Sequence, residues 1–233
     1  LSFSLPPEHY LPPQQALSVY RAASADVDND GDPDLLFATE NGSHLLLNSG
    51  AGLFTVFDPP DATDFGATSL PHWNGDTRDL AFGDLTGSRS GPGSGDEATE
   101  LVVCRLEEPT LVFFRNADAT GYREPHEIIS SSRCLHTLLA DVNGDGRTDV
   151  ITTRTSAQAD PLHCIYFYLR TSFPPGGAEP LFVQATGTQD GSPLCFEAIQ
   201  DVAVGDVDGQ GSPDLVIGAI TENDTATLRL FLI

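Results

Sequence analysis

Aspartates at alternate positions mark the part of this chain whose residues can do chemistry. The segment from residue 26 to residue 34 reads D-V-D-N-D-G-D-P-D and lies between two apolar runs. In a curled backbone, the side-chain oxygens of its first, third and fifth residues point inward. A backbone carbonyl at the seventh position joins them, and the ninth residue closes the shell. The predicted ligands are Asp26, Asp28, Asp30, Asp32 and Asp34. Calcium takes six to eight oxygen ligands, whereas magnesium demands a smaller, water-rich octahedron, so the segment predicts a calcium site.

Three further segments repeat this arrangement along the chain. The third segment offers Asp141, Asn143, Asp145, Arg147 and Asp149, and the fourth offers Asp206, Asp208, Gln210, Ser212 and Asp214. The second segment is degraded by an insertion of about eight residues rich in Gly and Ser, and it offers Asp84, Thr86, Asp96 and Glu100. We therefore expect three calcium sites and a weaker fourth site in the second segment.

Two alternatives to these calcium sites remain. An EF-hand also begins with alternating acids, but its loop lies between helices and ends with Glu at the twelfth position. Ordinary acidic turns without a metal are the other alternative. Four or five carboxylates packed together would repel one another by several kcal/mol without a cation, and this cost is hard to explain when it is repeated three times.

Four repeats fill the 233 residues. The opening aspartates at positions 26, 84, 141 and 206 are 58, 57 and 65 residues apart, and each follows Ala or Gly. One β-branched or aromatic run leads into each acidic segment, a second follows it at once, and two more come after turns rich in Gly, Asn, Asp and Pro. Four strands per repeat predict an all-β chain folded as a four-bladed β-propeller, in which small residues suit the crowded innermost strands.

The expected organisation is a single domain over residues 1–233, with repeats at about 20–77, 78–133, 134–194 and 195–233. Residues 1–19 are expected to form an N-terminal closing or donor strand and a Pro-rich linker. The last repeat ends at its third strand, Leu230 to Ile233, and the stretch from Leu1 to Leu5 parallels the outer strand of the first repeat. We expect this N-terminal strand to complete the last blade, either in the same chain or in a neighbouring copy.

The charge and the cysteines indicate the partners and the compartment. Acidic residues number 34 against 11 basic ones, a formal net charge of −23, which disfavours nucleic acid and anionic lipid as partners. No apolar run is long enough to cross a membrane as a helix. Two sequons, at Asn41 and Asn223, are predicted glycosylation sites, and Cys104, Cys134, Cys164 and Cys195 are expected to pair in sequence order. Together these signals favour a secreted or cell-surface protein.

The loop pattern resembles a known repeat family. The pattern D-x-[DN]-x-[DQ]-G-x-x-D-[LV], preceded by Phe82-Gly83-Asp84 and Val204-Gly205-Asp206, resembles FG-GAP/VCBS repeats, as found in integrin α-subunit propellers and some lectins. The resemblance implies a calcium-binding propeller, although propellers of this family usually have seven blades. It says little about function, because the family includes receptors, lectins, enzyme appendages and structural proteins.

The residues bear on three functions: an enzyme, a lectin, and an adhesion or structural module. An enzyme is disfavoured, since no nucleophile elbow, zinc helix or phosphate loop occurs and His163 beside Cys164 points to the opposite face of a strand. A calcium-dependent lectin is the alternative, with Trp73 either a sugar platform or a plug between two blades. The favoured function is a non-enzymatic adhesion or structural module that binds calcium. Its further expected partner is a second copy of itself, in a head-to-tail filament, or an extracellular protein or glycan.

Overall fold

The computed structural model describes residues 18–50, 54–57, 70–86, 100–116, 121–123, 125–129, 133–156, 162–171, 182–185, 193–221 and 225–231. The described residues form sixteen β-strands and no helix, which confirms the all-β prediction. No helix in this part of the chain is long and apolar enough to span a membrane. The strands are β1 (Val19–Ala25), β2 (Asp34–Thr39), β3 (Gly42–Asn48), β4 (Phe54–Phe57), β5 (Thr77–Gly83), β6 (Glu100–Arg105), β7 (Thr110–Phe113), β8 (His126–Ile129), β9 (Cys134–Ala140), β10 (Asp149–Thr155), β11 (His163–Arg170), β12 (Phe182–Ala185), β13 (Leu194–Phe196), β14 (Ala198–Gly205), β15 (Asp214–Thr221) and β16 (Thr225–Phe231).

These strands pair in chain order into four antiparallel sheets. Sheet 1 has the order β1-β2-β3-β4, sheet 2 has β5-β6-β7-β8, sheet 3 has β9-β10-β11-β12, and sheet 4 has β14-β15-β16. Strand β13 joins sheet 3 by pairing with the start of β11, whereas β12 pairs with its end. The sequence predicts no strand at β13, because a three-residue strand is defined by its distant partner rather than by its own pattern.

The first strand of every sheet carries a β-bulge at the same place. The extra residues are Tyr20, Arg78, Leu135 and Gln200, each opposite a step of one residue in the neighbouring strand. A bulge bends its strand and increases the local twist. These four strands lie side by side, since β1 contacts β5, β5 contacts β9, and β9 contacts β14. The repeat seen in the sequence is therefore a repeat of backbone geometry as well.

The hydrophobic core lies in the seams between successive sheets. Leu36 of sheet 1 and Phe113 of sheet 2 belong to one buried cluster, Val102 of sheet 2 and Tyr168 of sheet 3 to a second, and Ile151 of sheet 3 and Ile217 of sheet 4 to a third. Side chains alternate between the two faces of a strand, so each inner sheet contributes one face to each seam. Burial on both faces accounts for the continuous apolar run of β6, the second strand of sheet 2.

Two disulfides link the strands of the second and third sheets. Cys104 on β6 bonds to Cys134 on β9 and joins sheet 2 to sheet 3. Cys164 on β11 bonds to Cys195 on β13 within sheet 3, where the two residues are directly opposite in register. This is the sequence-order pairing. The bond between sheets holds two successive repeats together independently of their hydrophobic seam.

Candidate metal centre

The first acidic loop, residues 26–34, connects β1 to β2 and is folded by its own side chains. The Asp26 carboxylate accepts the backbone N–H groups of Asp30 and Gly31 at 3.1 and 2.9 Å. The loop also turns at Asn29 and Gly31, whose φ angles of 64° and 96° favour Asn and Gly over other residues. The curl predicted from the sequence is therefore built from hydrogen bonds to the first acid.

The last acid of the loop is a buried structural anchor. Asp34 is buried, its Oδ2 accepts the N–H of Val27 at 2.8 Å, and its Oδ1 accepts the N–H of Asn48 at 2.8 Å. These bonds join the start of the loop to the end of β3. Burial raises the pKa of Asp34, while the backbone donors lower it. The carboxylate thus satisfies two N–H groups and still faces the interior of the loop.

Asp28 gives the clearest sign that this loop fits a cation. Carboxylate oxygens of Asp26, Asp28 and Asp34 lie within 4.8 Å of one another. The Oδ1 atom of Asp28 is buried and has no hydrogen-bond partner among the described residues. Burial raises the pKa of Asp28, and the nearby carboxylates of Asp34 and Asp30 raise it further. Converging hard oxygens with an unpaired buried atom are the donor set that calcium takes, so the residues fit the ion.

The fourth loop, residues 206–214, repeats this geometry. Asp206 accepts the N–H groups of Gly209 and Gly211 at 2.7 and 3.0 Å. Asp214 Oδ2 accepts the N–H groups of Val207 and Asp208 at 2.8 and 3.2 Å. Oxygens of Asp206, Asp208 and Asp214 again lie within 4.8 Å of one another. Gln210 and Ser212, the other predicted ligands, are exposed within the loop.

The third loop has the same backbone but a different donor set. Asp141 accepts the N–H groups of Asp145 and Gly146 at 3.1 and 2.6 Å, and buried Asp149 accepts that of Val142 at 3.1 Å. An amide, Asn143, occupies the position of Asp28. The Arg147 guanidinium lies 3.0 Å from the Asp145 carboxylate. This loop therefore has two carboxylates fewer than the first, and one of its acids forms an ion pair.

The second loop keeps the anchoring acid. Buried Glu100 accepts the Leu85 N–H at 2.6 Å and the Thr86 hydroxyl at 3.3 Å, and Asp84 accepts the Thr86 N–H at 3.1 Å. Burial raises the pKa of Glu100, and the nearby Asp84 carboxylate raises it further. Asp96 lies outside the described residues. The contact of the closing acid with the residue after the opening acid is thus the same in all four loops.

Two arginines donate hydrogen bonds to carbonyls of the acidic loops, and the sequence did not predict this role. The Arg115 guanidinium, at the end of the third strand of sheet 2, donates to the carbonyls of Asp26 and Val27 in the loop of sheet 1. Arg170 occupies the matching place in sheet 3 and donates to the Leu85 carbonyl in the loop of sheet 2. The sequence has an Arg at or just after the end of the third strand in sheets 2 and 3. The loop residues that these arginines contact are more than 80 residues away along the chain.

The remaining predicted site residues have other surroundings. The Trp73 side chain is buried in the seam between sheets 1 and 2, with its indole N–H donated to Thr77 at 2.6 Å and its ring 5.6 Å from that of Phe113. It is a plug between sheets and is not available as a surface platform. His163 accepts the Ile199 N–H, and Cys164 is in a disulfide, so they form no nucleophile and base.

The two predicted glycosylation sites differ in what the structure describes. Asn41 is exposed in the turn between β2 and β3. Asn223 lies outside the described residues, as does the predicted N-terminal strand.

Two solved structures are remotely similar to this chain. No curated protein sequence matches this chain. A crystal structure of the V. cholerae biofilm matrix protein Bap1 is similar, with 17% identity and a TM-score of 0.45 over 93% of this chain and 38% of that one. A crystal structure of BBS1N in complex with ARL6DN has 12% identity and a TM-score of 0.36 over 94% of this chain and 80% of that one. The chain therefore spans well under half the length of Bap1, and likenesses this remote carry no argument about function.

The sequence model of one family matches part of the chain directly. Residues 26–88 match the FG-GAP-like repeat, starting at the opening acid of the first loop. The segment from residue 26 to residue 88 is therefore similar to an FG-GAP-like repeat, which confirms the resemblance read from the loop pattern.

Proposed function

We propose that this protein is an extracellular, non-enzymatic module for adhesion or structural assembly, stabilised by calcium in its acidic loops. The observation that carries the proposal is the convergence of Asp26, Asp28 and Asp34, with an unpaired buried oxygen on Asp28, and its repetition at the fourth loop. A bound divalent cation offsets the repulsion among these carboxylates in the folded state only, so its binding energy adds to stability.

The wider architecture of the proposal is a row of four propeller-type blades, whose first and last sheets meet either in the same chain or across copies. The successive contacts between the four first strands and the seams between the four sheets support it. Among the described strands, β16 pairs with β15 alone, so one edge of sheet 4 presents unpaired backbone groups. The proposal assigns residues 1–5 to that edge, either in the same chain or in a neighbouring copy. Deleting residues 1–7 separates the two: a chain closed on itself loses stability, whereas a strand-exchanged filament dissociates into folded monomers.

The disulfides support an oxidising compartment. Four cysteines form two disulfides, which persist in secreted and surface proteins but are rare in the cytosol. The FG-GAP-like repeat is compatible with this location. The lectin alternative loses its sequence argument, because Trp73 is buried between two sheets. Glycan-array binding by the calcium-loaded protein would restore it.

Thermal unfolding with and without chelator tests the calcium proposal. The melting temperature should fall by many degrees in excess EDTA, because the carboxylates of each loop are left to repel one another. Added calcium should restore it better than magnesium, which needs a tighter octahedral shell. An unchanged melting curve for protein shown by metal analysis to be empty would refute the proposal.

A further inference from the structure

One apolar residue per loop shows which sheet faces are covered. It directly follows the opening acid, and in the first three loops it packs into the seam with the next sheet. Its exposed fraction is 0% for Val27, 0% for Leu85 and 9% for Val142, but 57% for Val207 in the fourth loop. We call the face of a sheet that points to the following sheet its front face, and the opposite face its back face. The exposure of Val207 indicates that, in the part of the chain that the structure describes, the front face of sheet 4 is open beside the fourth loop.

Other residues on the front face of sheet 4 agree. The residue two positions after the closing acid is buried in the first three sheets, as Leu36, Val102 and Ile151, whereas Val216 of sheet 4 is only half-buried. Leu228, opposite Gly218 on the same face, is 77% exposed. Leu139 of sheet 3 lies so close to Gly83 of sheet 2 that a Cβ added at Gly83 would be 2.7 Å from the Leu139 side chain. A Cβ added at Gly205 of sheet 4 would meet no described atom within 4 Å.

The back face of sheet 1 is the complementary open surface. The residue directly after the closing acid is buried against the preceding sheet as Leu101, Val150 and Leu215, whereas Leu35 of sheet 1 is only half-buried. Leu35, buried Leu46 and Val56 lie in one row across sheet 1, and Val56 is 45% exposed. Phe37, on the same face two residues along, is also half-buried. Each end of the row of sheets thus has one half of a seam.

We propose that the front face of sheet 4 in one copy of this chain binds the back face of sheet 1 in a second copy. The chain itself specifies the occupant, because a front face meets a back face at all three of its internal seams. Two different faces of one molecule that fit each other make a head-to-tail contact, which extends into a ring or a filament. The proposal rests on the assembly function proposed above and names a surface for it that is separate from residues 1–5.

Sedimentation velocity of the calcium-loaded 233-residue chain over a range of concentrations tests this contact. The unaltered protein should associate. Val207→Asp places a charge on the open front face, at its loop end, and should raise the dissociation constant at least about 30-fold. Val56→Asp should do the same from the back face. Each variant keeps one intact face, so an equimolar mixture should form dimers of one copy each and nothing larger.

Val183→Asp is the matched control, because Val183 is 55% exposed on the outer strand of sheet 3, away from both open faces. It should associate as the unaltered protein does. Circular dichroism and melting curves establish that each variant is folded. Association of Val207→Asp at the unaltered strength would overturn the proposal, as would a mixture that forms no dimers.

A third result would identify a different occupant. If the unaltered protein is monomeric at every concentration and Val207→Asp lowers its melting temperature, sheet 1 of the same chain covers the face, and the proposal is wrong. The calcium proposal is tested separately, because calcium dependence is measured from melting curves of the unaltered protein with and without chelator. If deletion of residues 1–7 abolishes assembly and Val207→Asp does not, strand exchange alone holds the copies together.

Discussion

The first and fourth acidic loops have the same internal geometry in different surroundings. In both, the first acid accepts two backbone N–H groups and three carboxylates converge within 4.8 Å. The first loop is covered by sheet 2, whose Arg115 donates to its carbonyls, whereas Val207 of the fourth loop is exposed. The loop fold is therefore encoded locally, and packing against the next sheet is a separate contribution.

The largest difference between the two loops is expected on removal of the anchoring acid. Asp34→Ala leaves the buried N–H group of Val27 and the half-buried N–H group of Asn48 without acceptors, which costs about 2–4 kcal/mol of unfolding free energy. Asp214→Ala should cost less, because Val207 and Asp208 are exposed and water can replace the carboxylate. Chemical denaturation of both variants in the same calcium concentration measures the difference, and equal losses would contradict the distinction between the loops.

A smaller effect is expected from the apolar residue of each loop. Val27→Ala removes two buried carbons from the seam between sheets 1 and 2 and should cost about 2 kcal/mol. Val207→Ala should change the unfolding free energy by less than about 0.5 kcal/mol, because its side chain is exposed. Denaturant midpoints at dilute protein concentration provide the comparison. A loss at Val207 as large as that at Val27 would show that the fourth loop is covered within the monomer.

The smallest expected effect is a pH dependence of stability that arises from His136 on β9, the first strand of sheet 3. Burial lowers the pKa of His136 below its ordinary value near 6.5, although Asp79 and Asp201 favour the protonated form. The unfolded chain therefore takes up the proton before the folded protein does, and the unfolding free energy should fall as the pH drops below about 6.5. Above that pH, the residue contributes no pH dependence.

Matched substitutions isolate this contribution from the carboxylates. His136→Asn should lessen the loss of stability between pH 7 and pH 5, whereas His126→Asn, at an exposed residue of β8, should leave the profile unchanged. Arg21, whose guanidinium lies 3.2 Å from the Asp79 carboxylate, is present in both variants and so does not distinguish them. Identical profiles for the two variants would mean that His136 does not contribute.

Local patterns were predictable from the sequence, and distant contacts were not. The positions of the acidic loops between strands, and most strands, were predictable because alternating acids, glycine turns and apolar runs are local signals. Strand β13, the reach of Arg115 to the first loop and the placement of Trp73 between sheets depend on residues far along the chain. The role of the anchoring acids was also missed, because a metal ligand and an acceptor of backbone N–H groups have the same sequence signature.

Direct counting of bound calcium tests the central claim that the loops hold this ion. Native mass spectrometry of the metal-free protein titrated with calcium should show at least three bound ions. Asp28→Asn and Asp208→Asn should each weaken one site, while Asn41→Gln, at an exposed turn outside the loops, should weaken none. Protein that binds no calcium at millimolar concentration, or an Asp28→Asn variant that binds as many ions with the same affinity, would contradict the account.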